Sequence, residues 1–139
     1  MSRLSIFPEH GQGHEPRAAS ALLESNDADR IQAELALRGI RFEQWAASEQ
    51  LAAAADQADI LNAYRQEVER IQDEGGYTTV DAIRMTPDHP DRDALRQKFL
   101  SEHTHAEDEV RFFVEGCGLF SLHINDEVLV TRCERGDLI

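Results

Sequence analysis

The chain has 139 residues, a mass of 15.7 kDa and a formal net charge of −13. A surface this acidic repels phosphate groups, which excludes nucleic acids and anionic membranes as expected partners. No apolar run is long enough to cross a bilayer and only two cysteines are present, so a single cytoplasmic domain without a disulfide framework is expected.

The N-terminal two thirds is predicted to mix helices with short strands. Residues 25–27 (Ser-Asn-Asp) offer N-cap side chains, Ile31 and Leu35 recur at helical spacing, and Gly39 stands where a helix would stop. Residues 40–45 alternate apolar and polar side chains, which favours a short strand.

A second helix is indicated by an apolar stripe that ends at a pair of glycines, residues 75–76. Its members are Ile60, Leu61, Tyr64, Val68 and Ile71. Residues 77–85 are rich in β-favouring side chains and predict a strand, and Asp91 is the expected N-cap of a third helix that runs to Leu100.

The pattern changes after Ser101. Residues 109–115, 119–124 and 127–133 are three strand-like runs, and residues 115–118 and 125–126 are the turns expected between them. Short strands joined by tight turns are typical of an antiparallel sheet or barrel.

One short segment carries recognisable chemistry. His103, His105 and Glu109 are separated by even offsets, so an extended chain places all three on one face, whereas a helix would scatter them. On this strand interpretation Glu107 and Arg111 share the ligand face. The opposite face is apolar and is expected to pack against a hydrophobic layer; it carries Val110, Phe112 and Val114.

Two imidazoles and one carboxylate leave open positions on a six-coordinate ion, which suits Fe(II) and also Ni or Mn. Glu107 is the alternative carboxylate ligand on geometry alone. The competing interpretation is a set of solvent-facing polar residues on an edge strand, because His-x-His by itself is a weak signal.

The spacing His103-x-His105-x3-Glu109-x6-Gly116 resembles the first motif of the cupin superfamily, although Gln97 stands where that motif usually has glycine. Residues 136–137 (Gly-Asp) resemble the start of the second cupin motif. The ligand histidine of that motif would fall at about position 147, beyond Ile139. The chain also stops at apolar residues inside a strand-like run. For both reasons we expect the sequence to be a piece of a longer enzyme.

A more specific resemblance covers the chain from near its start to Ile139. Residues 98–105 (KFLSEHTH) and 109–116 (EVRFFVEG) resemble the bacterial acireductone dioxygenase family, as do residues 39–45, 118–120, 122–124 and 136–139. The resemblance implies an α+β fold: a cupin double-stranded β-helix (jelly-roll barrel) with N-terminal helices, the barrel being incomplete in this chain. It further implies one domain, 1–139, with a helical or mixed part at 1–101 and the barrel's metal motif at 102–139.

That family acts in methionine salvage. The resemblance implies that the chain cleaves the acireductone 1,2-dihydroxy-5-(methylsulfanyl)pent-1-en-3-one with O2. With Fe(II) the products are formate and 4-methylsulfanyl-2-oxobutanoate. With Ni(II) they are 3-(methylsulfanyl)propanoate, formate and carbon monoxide.

The family's ligands are three histidines and one glutamate, and three of them carry over to His103, His105 and Glu109. One Fe(II) or Ni(II) per chain is implied. Arg111 matches the family arginine that favours the anionic substrate, and Glu102 and Asp108 match positions with supporting roles in metal uptake and conformational relay. The implied partners are acireductone and O2, with no nucleic acid or membrane, and a monomer is expected.

Two other functions compete with this one. A different mononuclear cupin oxygenase could use the same metal face, and a non-catalytic remnant could fold poorly or bind metal weakly. The remaining histidines are interpreted as solvated or packed, and Cys117 and Cys133 as turn and core residues; these histidines are His10, His14, His89 and His123.

Overall fold

The computed structural model describes residues 1–9 and 21–139, so His10 and His14 lie outside the described residues. The described chain forms two compact units, Met1–Ala47 with Val110–Ile139, and Ser48–Glu109. The first unit holds β1 (Arg3–Pro8), β2 (Leu23–Ser25), α1 (Ala28–Ala36), β3 (Glu43–Gln44), β4 (Cys117–Ile124), β5 (Glu127–Glu134) and β6 (Asp137–Leu138). The second holds α2 (Gln57–Ala63), α3 (Arg65–Gly75) and α4 (Arg92–Leu100).

The first unit is built on a four-stranded antiparallel sheet in the order β2-β1-β5-β4. Alternate residues of β1 and β5 face a shared core, and α1 covers it with Ile31 and Leu35. The other fully packed members are Leu4, Ile6, Phe42, Leu129 and Cys133. Strand β1 is absent from the sequence prediction, although Leu4 and Ile6 alternate with polar Arg3 and Ser5, which is the ordinary signal of a half-buried strand.

The predicted first helix and the predicted hairpin are both confirmed. Asp27 caps α1 by accepting hydrogen bonds from the backbone N–H groups of Asp29 and Arg30. The two residues Asn125 and Asp126 join β4 to β5, and Asn125 has a φ of 53°, as the first position of a tight hairpin turn requires. These elements form where predicted because caps and turns depend on neighbouring residues only.

An arginine ties α1 to that hairpin. The guanidinium of Arg38 donates to Glu127 (Nε–Oε2 2.7 Å) and to Glu34 (Nη1–Oε2 3.0 Å). These hydrogen bonds hold the pKa of both carboxyl groups below their ordinary value. A carboxyl group with a depressed folded-state pKa stabilises the fold above its unfolded pKa, and that stabilisation is lost as pH falls through the folded value.

A second, smaller pairing lies at the C-terminal end of the first unit. Strand β3 pairs with β6, and residues 111–113 pair with the other side of residues 136–139. The strand predicted over residues 109–115 is therefore irregular except for one bridge, between Phe112 and Leu138. Gly136 makes this close pairing possible: its φ is 96°, and a Cβ there would lie 2.9 Å from the carbonyl oxygen of Trp45.

The second unit is helical. The predicted second helix is present but divided, because Tyr64 leaves helical geometry (φ −108°, ψ 28°) and its hydroxyl donates to the Glu49 carbonyl at 3.2 Å. Ile60 and Tyr64 are buried as the stripe predicts, and Gly76 ends α3 with a φ of 69°. Helix α4 begins after Asp91, as predicted, although the Asp91 side chain makes no capping hydrogen bond.

The strand predicted over residues 77–85 is wrong. Those residues have irregular backbone, and Val80, Ile83 and Met85 are exposed. Their β propensity is real, but a strand forms only where another strand satisfies its backbone groups, and none of the described strands pairs with this segment.

The described part of the chain is α+β with antiparallel sheets, as predicted, and its strands close no barrel. No described helix has the length and apolar content needed to cross a membrane.

Candidate metal centre

The segment that carries the histidines is exposed and irregular. Residues 102–109 are assigned to no helix or strand, and each of them is exposed. The strand geometry predicted for His103, His105 and Glu109 is therefore wrong in this structure, because no described strand pairs with the segment and holds it extended. Spacing in sequence alone does not gather these three side chains.

Direct contacts nevertheless link the three residues. The rings of His103 and His105 meet edge to face with centroids 4.6 Å apart. His105 Nδ1 lies 3.1 Å from Glu109 Oε1, and His103 Nδ1 lies 2.9 Å from the Ser101 carbonyl oxygen. His105 is thus the central member that contacts both other groups.

The donor types fit a divalent ion. Two imidazoles and a carboxylate are ligands that Fe(II) and Ni(II) accept. His105 Nδ1 and Glu109 Oε1 are 3.1 Å apart, which is the distance of an ordinary hydrogen-bonded pair. The three side chains do not, however, surround a common point: within the described ranges, no three His, Cys, Asp or Glu side chains are arranged to hold a metal ion.

Three further acidic side chains lie in the same segment as the proposed ligands. Glu102, Glu107 and Asp108 are all exposed in the same irregular segment. They add negative charge around the histidines, which favours the binding of a divalent cation in this neighbourhood.

Arg111 belongs to the first unit, and its backbone is fixed by pairing. Its N–H donates to the Ile139 carbonyl at 2.8 Å, and its carbonyl accepts from the Ile139 N–H at 3.0 Å. Its guanidinium carbon lies over the ring of Phe120, 5.3 Å from the centroid. Both ends of this side chain are therefore positioned.

The apolar face predicted for this segment needs a correction. Phe113 is the residue that packs against the hydrophobic core, whereas Phe112 faces Trp45 with ring centroids 5.7 Å apart. The face that was predicted to carry Arg111 and the ligands thus also carries Phe113, which packs against the core. The reason is the tertiary position of the segment, which lies between the core on one side and the loop of Trp45 on the other.

A buried carboxyl group, that of Asp137, holds distant parts of the first unit together, and the sequence does not predict this role. Asp137 is fully buried and accepts hydrogen bonds from Ser2 Oγ (2.6 Å), Glu134 N (2.9 Å) and Gln44 Nε2 (3.1 Å). The sequence singles out residues 136–137 only as a motif start. No local signal predicts partners 93 and 135 positions away.

The two thiols have different surroundings. Cys133 lies in the core, as predicted, and burial together with the charge of Asp137 raises the pKa of its thiol to about 12, so it stays protonated and unreactive. Cys117 is exposed at the start of β4. His123 lies near the other end of the same strand with Nε2 3.2 Å from Glu9 Oε1, a surface pairing.

Comparison with known proteins adds independent evidence. The sequence model described as "ARD/ARD' family" matches residues 13–139. Acireductone dioxygenase of Parasynechococcus marenigrum (strain WH8102) is 68% identical over 139 residues, which are 100% of this chain and 75% of the relative. Acireductone dioxygenase of Prochlorococcus marinus (strain MIT 9313) is 61% identical, again over 100% of this chain and 75% of the relative.

A solved structure is also similar. Acireductone dioxygenase from Bacillus anthracis, with a cadmium ion in its active centre, superposes with a TM-score of 0.79 at 25% sequence identity. The match covers 99% of this chain and 78% of that one.

Proposed function

Since the chain belongs to the ARD/ARD' family, whose model matches residues 13–139, we propose a specific assignment of its metal ligands and substrate-binding residues. The activity itself follows from the 68% identity over the whole chain: it is that of a metal-dependent acireductone dioxygenase in methionine salvage. Of the three functions considered from sequence, the comparisons favour this one.

We propose His103, His105 and Glu109 as ligands of one Fe(II) or Ni(II) per chain. The observation that carries the proposal is the contact of His105 with both His103 and Glu109, in a motif of the spacing His-x-His-x3-Glu. When bound, the ion supplies the Lewis-acid and redox chemistry that makes an enediolate reactive toward O2.

The other residues act on the substrate and on the ligands. Arg111 favours the anionic form of the enediol through its fixed positive charge, which also orients the substrate. Glu102 and Asp108 support metal uptake through their negative charge and relay conformational change. The chain acts as a cytoplasmic monomer and as a single domain, 1–139, whose strands form part of a cupin double-stranded β-helix.

Product analysis tests this function and its dependence on the metal. The purified enzyme that contains this sequence together with the family's fourth ligand histidine is loaded with Fe(II) or Ni(II) and given acireductone and O2. With Fe(II) we expect one formate and one 4-methylsulfanyl-2-oxobutanoate per O2 consumed. With Ni(II) we expect 3-(methylsulfanyl)propanoate, formate and carbon monoxide. Absence of acireductone consumption with either ion would overturn the function.

Replacing Arg111 by alanine should leave the metal content unchanged and lower kcat/KM by about 30- to 1000-fold, the effect of removing about 2–4 kcal/mol of transition-state stabilisation. Metal analysis and steady-state kinetics measure the two quantities. The matched control is Arg30→Ala, which removes an exposed arginine of α1 in the same unit and should retain activity. Wild-type turnover by the Arg111 variant would remove this residue from the mechanism.

A further inference from the structure

We propose that Phe120 is a positioning residue for Arg111, an inference that rests on the proposed contact of Arg111 with the substrate. The guanidinium carbon of Arg111 lies 5.3 Å from the centroid of the Phe120 ring, within the range of a cation–π interaction. The backbone of Arg111 is already fixed by two hydrogen bonds to Ile139. The ring therefore adds a restraint at the charged end of the side chain.

A ring face is suited to this role for a physical reason. The negative face of the ring attracts the cation without offering a conventional hydrogen-bond acceptor. The contact can thus restrict the guanidinium without using any of its N–H donors, which are the groups that recognise an anionic oxygen. An arginine held in advance loses less side-chain entropy when the substrate binds.

Phe120 is itself held in place. It lies on β4, where it pairs with Thr131 of β5, and it packs against the hydrophobic core. Its ring also meets the ring of Phe113 nearly at right angles, with centroids 5.6 Å apart and an interplanar angle of 81°. A cation placed over this ring is fixed relative to the sheet.

Gly118 makes that arrangement possible. A Cβ at this position would lie 2.8 Å from Cε1 of Phe113, closer than carbon atoms pack. The absence of a side chain at Gly118 therefore gives Phe113 the room to stand against Phe120. Gly118 thus leaves space for Phe113, Phe113 packs against Phe120, and Phe120 contacts Arg111.

A double-mutant cycle tests the inference. Phe120→Leu should lower kcat/KM by about 3- to 30-fold when Arg111 is present, the range expected for a cation–π contact. In an Arg111→Ala background the same change should alter kcat/KM by less than about 2-fold, because a residue that acts only through Arg111 has nothing left to position. Phe120→Tyr, which keeps the ring, should restore activity to within about 2-fold of the wild-type value.

Two controls separate positioning from packing. Leu122→Ala removes a core contact two residues along β4 and should lower Tm without a comparable fall in kcat/KM. Replacing Phe120 by 3,4,5-trifluorophenylalanine nearly keeps the shape of the ring but weakens its negative face, so kcat/KM should still fall. This variant also keeps the test decisive if Phe120→Leu does not fold. Metal content should be unchanged in every variant.

The outcomes distinguish the two proposals. If Arg111→Ala alone has wild-type kcat/KM, the proposed role of Arg111 fails. If Arg111→Ala is impaired but Phe120→Leu costs the same factor in both backgrounds, or costs nothing in either, Arg111 keeps its role and the positioning role of Phe120 is overturned. Full activity of the trifluorophenylalanine variant would also overturn it.

Discussion

Replacing His103 by alanine is expected to lower the metal content from about one ion per chain to near zero and to reduce turnover at least about 1000-fold. A site with two imidazoles and one carboxylate loses one of its neutral nitrogen donors, and the remaining pair, His105 and Glu109, keeps only the contact that spans 3.1 Å. Two side-chain donors hold a divalent ion weakly against water and buffer.

Elemental analysis after gel filtration and titration calorimetry with Fe(II) or Ni(II) measure the loss. His89→Ala is the matched control, because it removes a histidine of the same unit whose Nδ1 accepts a hydrogen bond from the Asp91 backbone outside the motif. That variant should keep its metal and its activity. Full metal stoichiometry in the His103 variant would show that this residue is not a ligand.

The second large effect is expected at Asp137. Replacing it by alanine should lower the free energy of unfolding by about 3–5 kcal/mol, because a buried acceptor is lost and its donors are left without it. Those donors come from three parts of the first unit: the N-terminal Ser2, Gln44 of β3 and the backbone of Glu134. The Asp137 carbonyl also accepts from the Phe113 N–H, and this backbone bond is kept in the alanine variant, so the expected loss comes from the side chain alone.

Denaturant unfolding followed by circular dichroism measures this effect. Asp137→Asn keeps the shape and one acceptor oxygen, so its cost should be smaller, about 1–2 kcal/mol. Asp29→Ala removes an exposed carboxylate from the first turn of α1 and should cost less than about 1 kcal/mol. Equal stability of Asp137→Ala and Asp29→Ala would show that the buried carboxyl group is not a structural centre of this unit.

The sequence determined the elements whose signals are local. The cap at Asp27, the turn at residues 125–126 and the start of α4 after Asp91 all follow from interactions within a few residues. The motif around His103 likewise indicated the family, because its residue types and spacing are specific even though its backbone is not the predicted strand.

Only the tertiary structure decided which segments become neighbours. Strand β1 pairs with β5 across most of the chain, with Arg3 opposite Arg132, and the partners of Asp137 are equally distant in sequence. Residues 77–85 have strand-forming side chains but no pairing strand, whereas Phe113 and Phe120 meet because the sheet brings them together. Pairing over long separations depends on the free energy of the whole core, which no local pattern of residues contains.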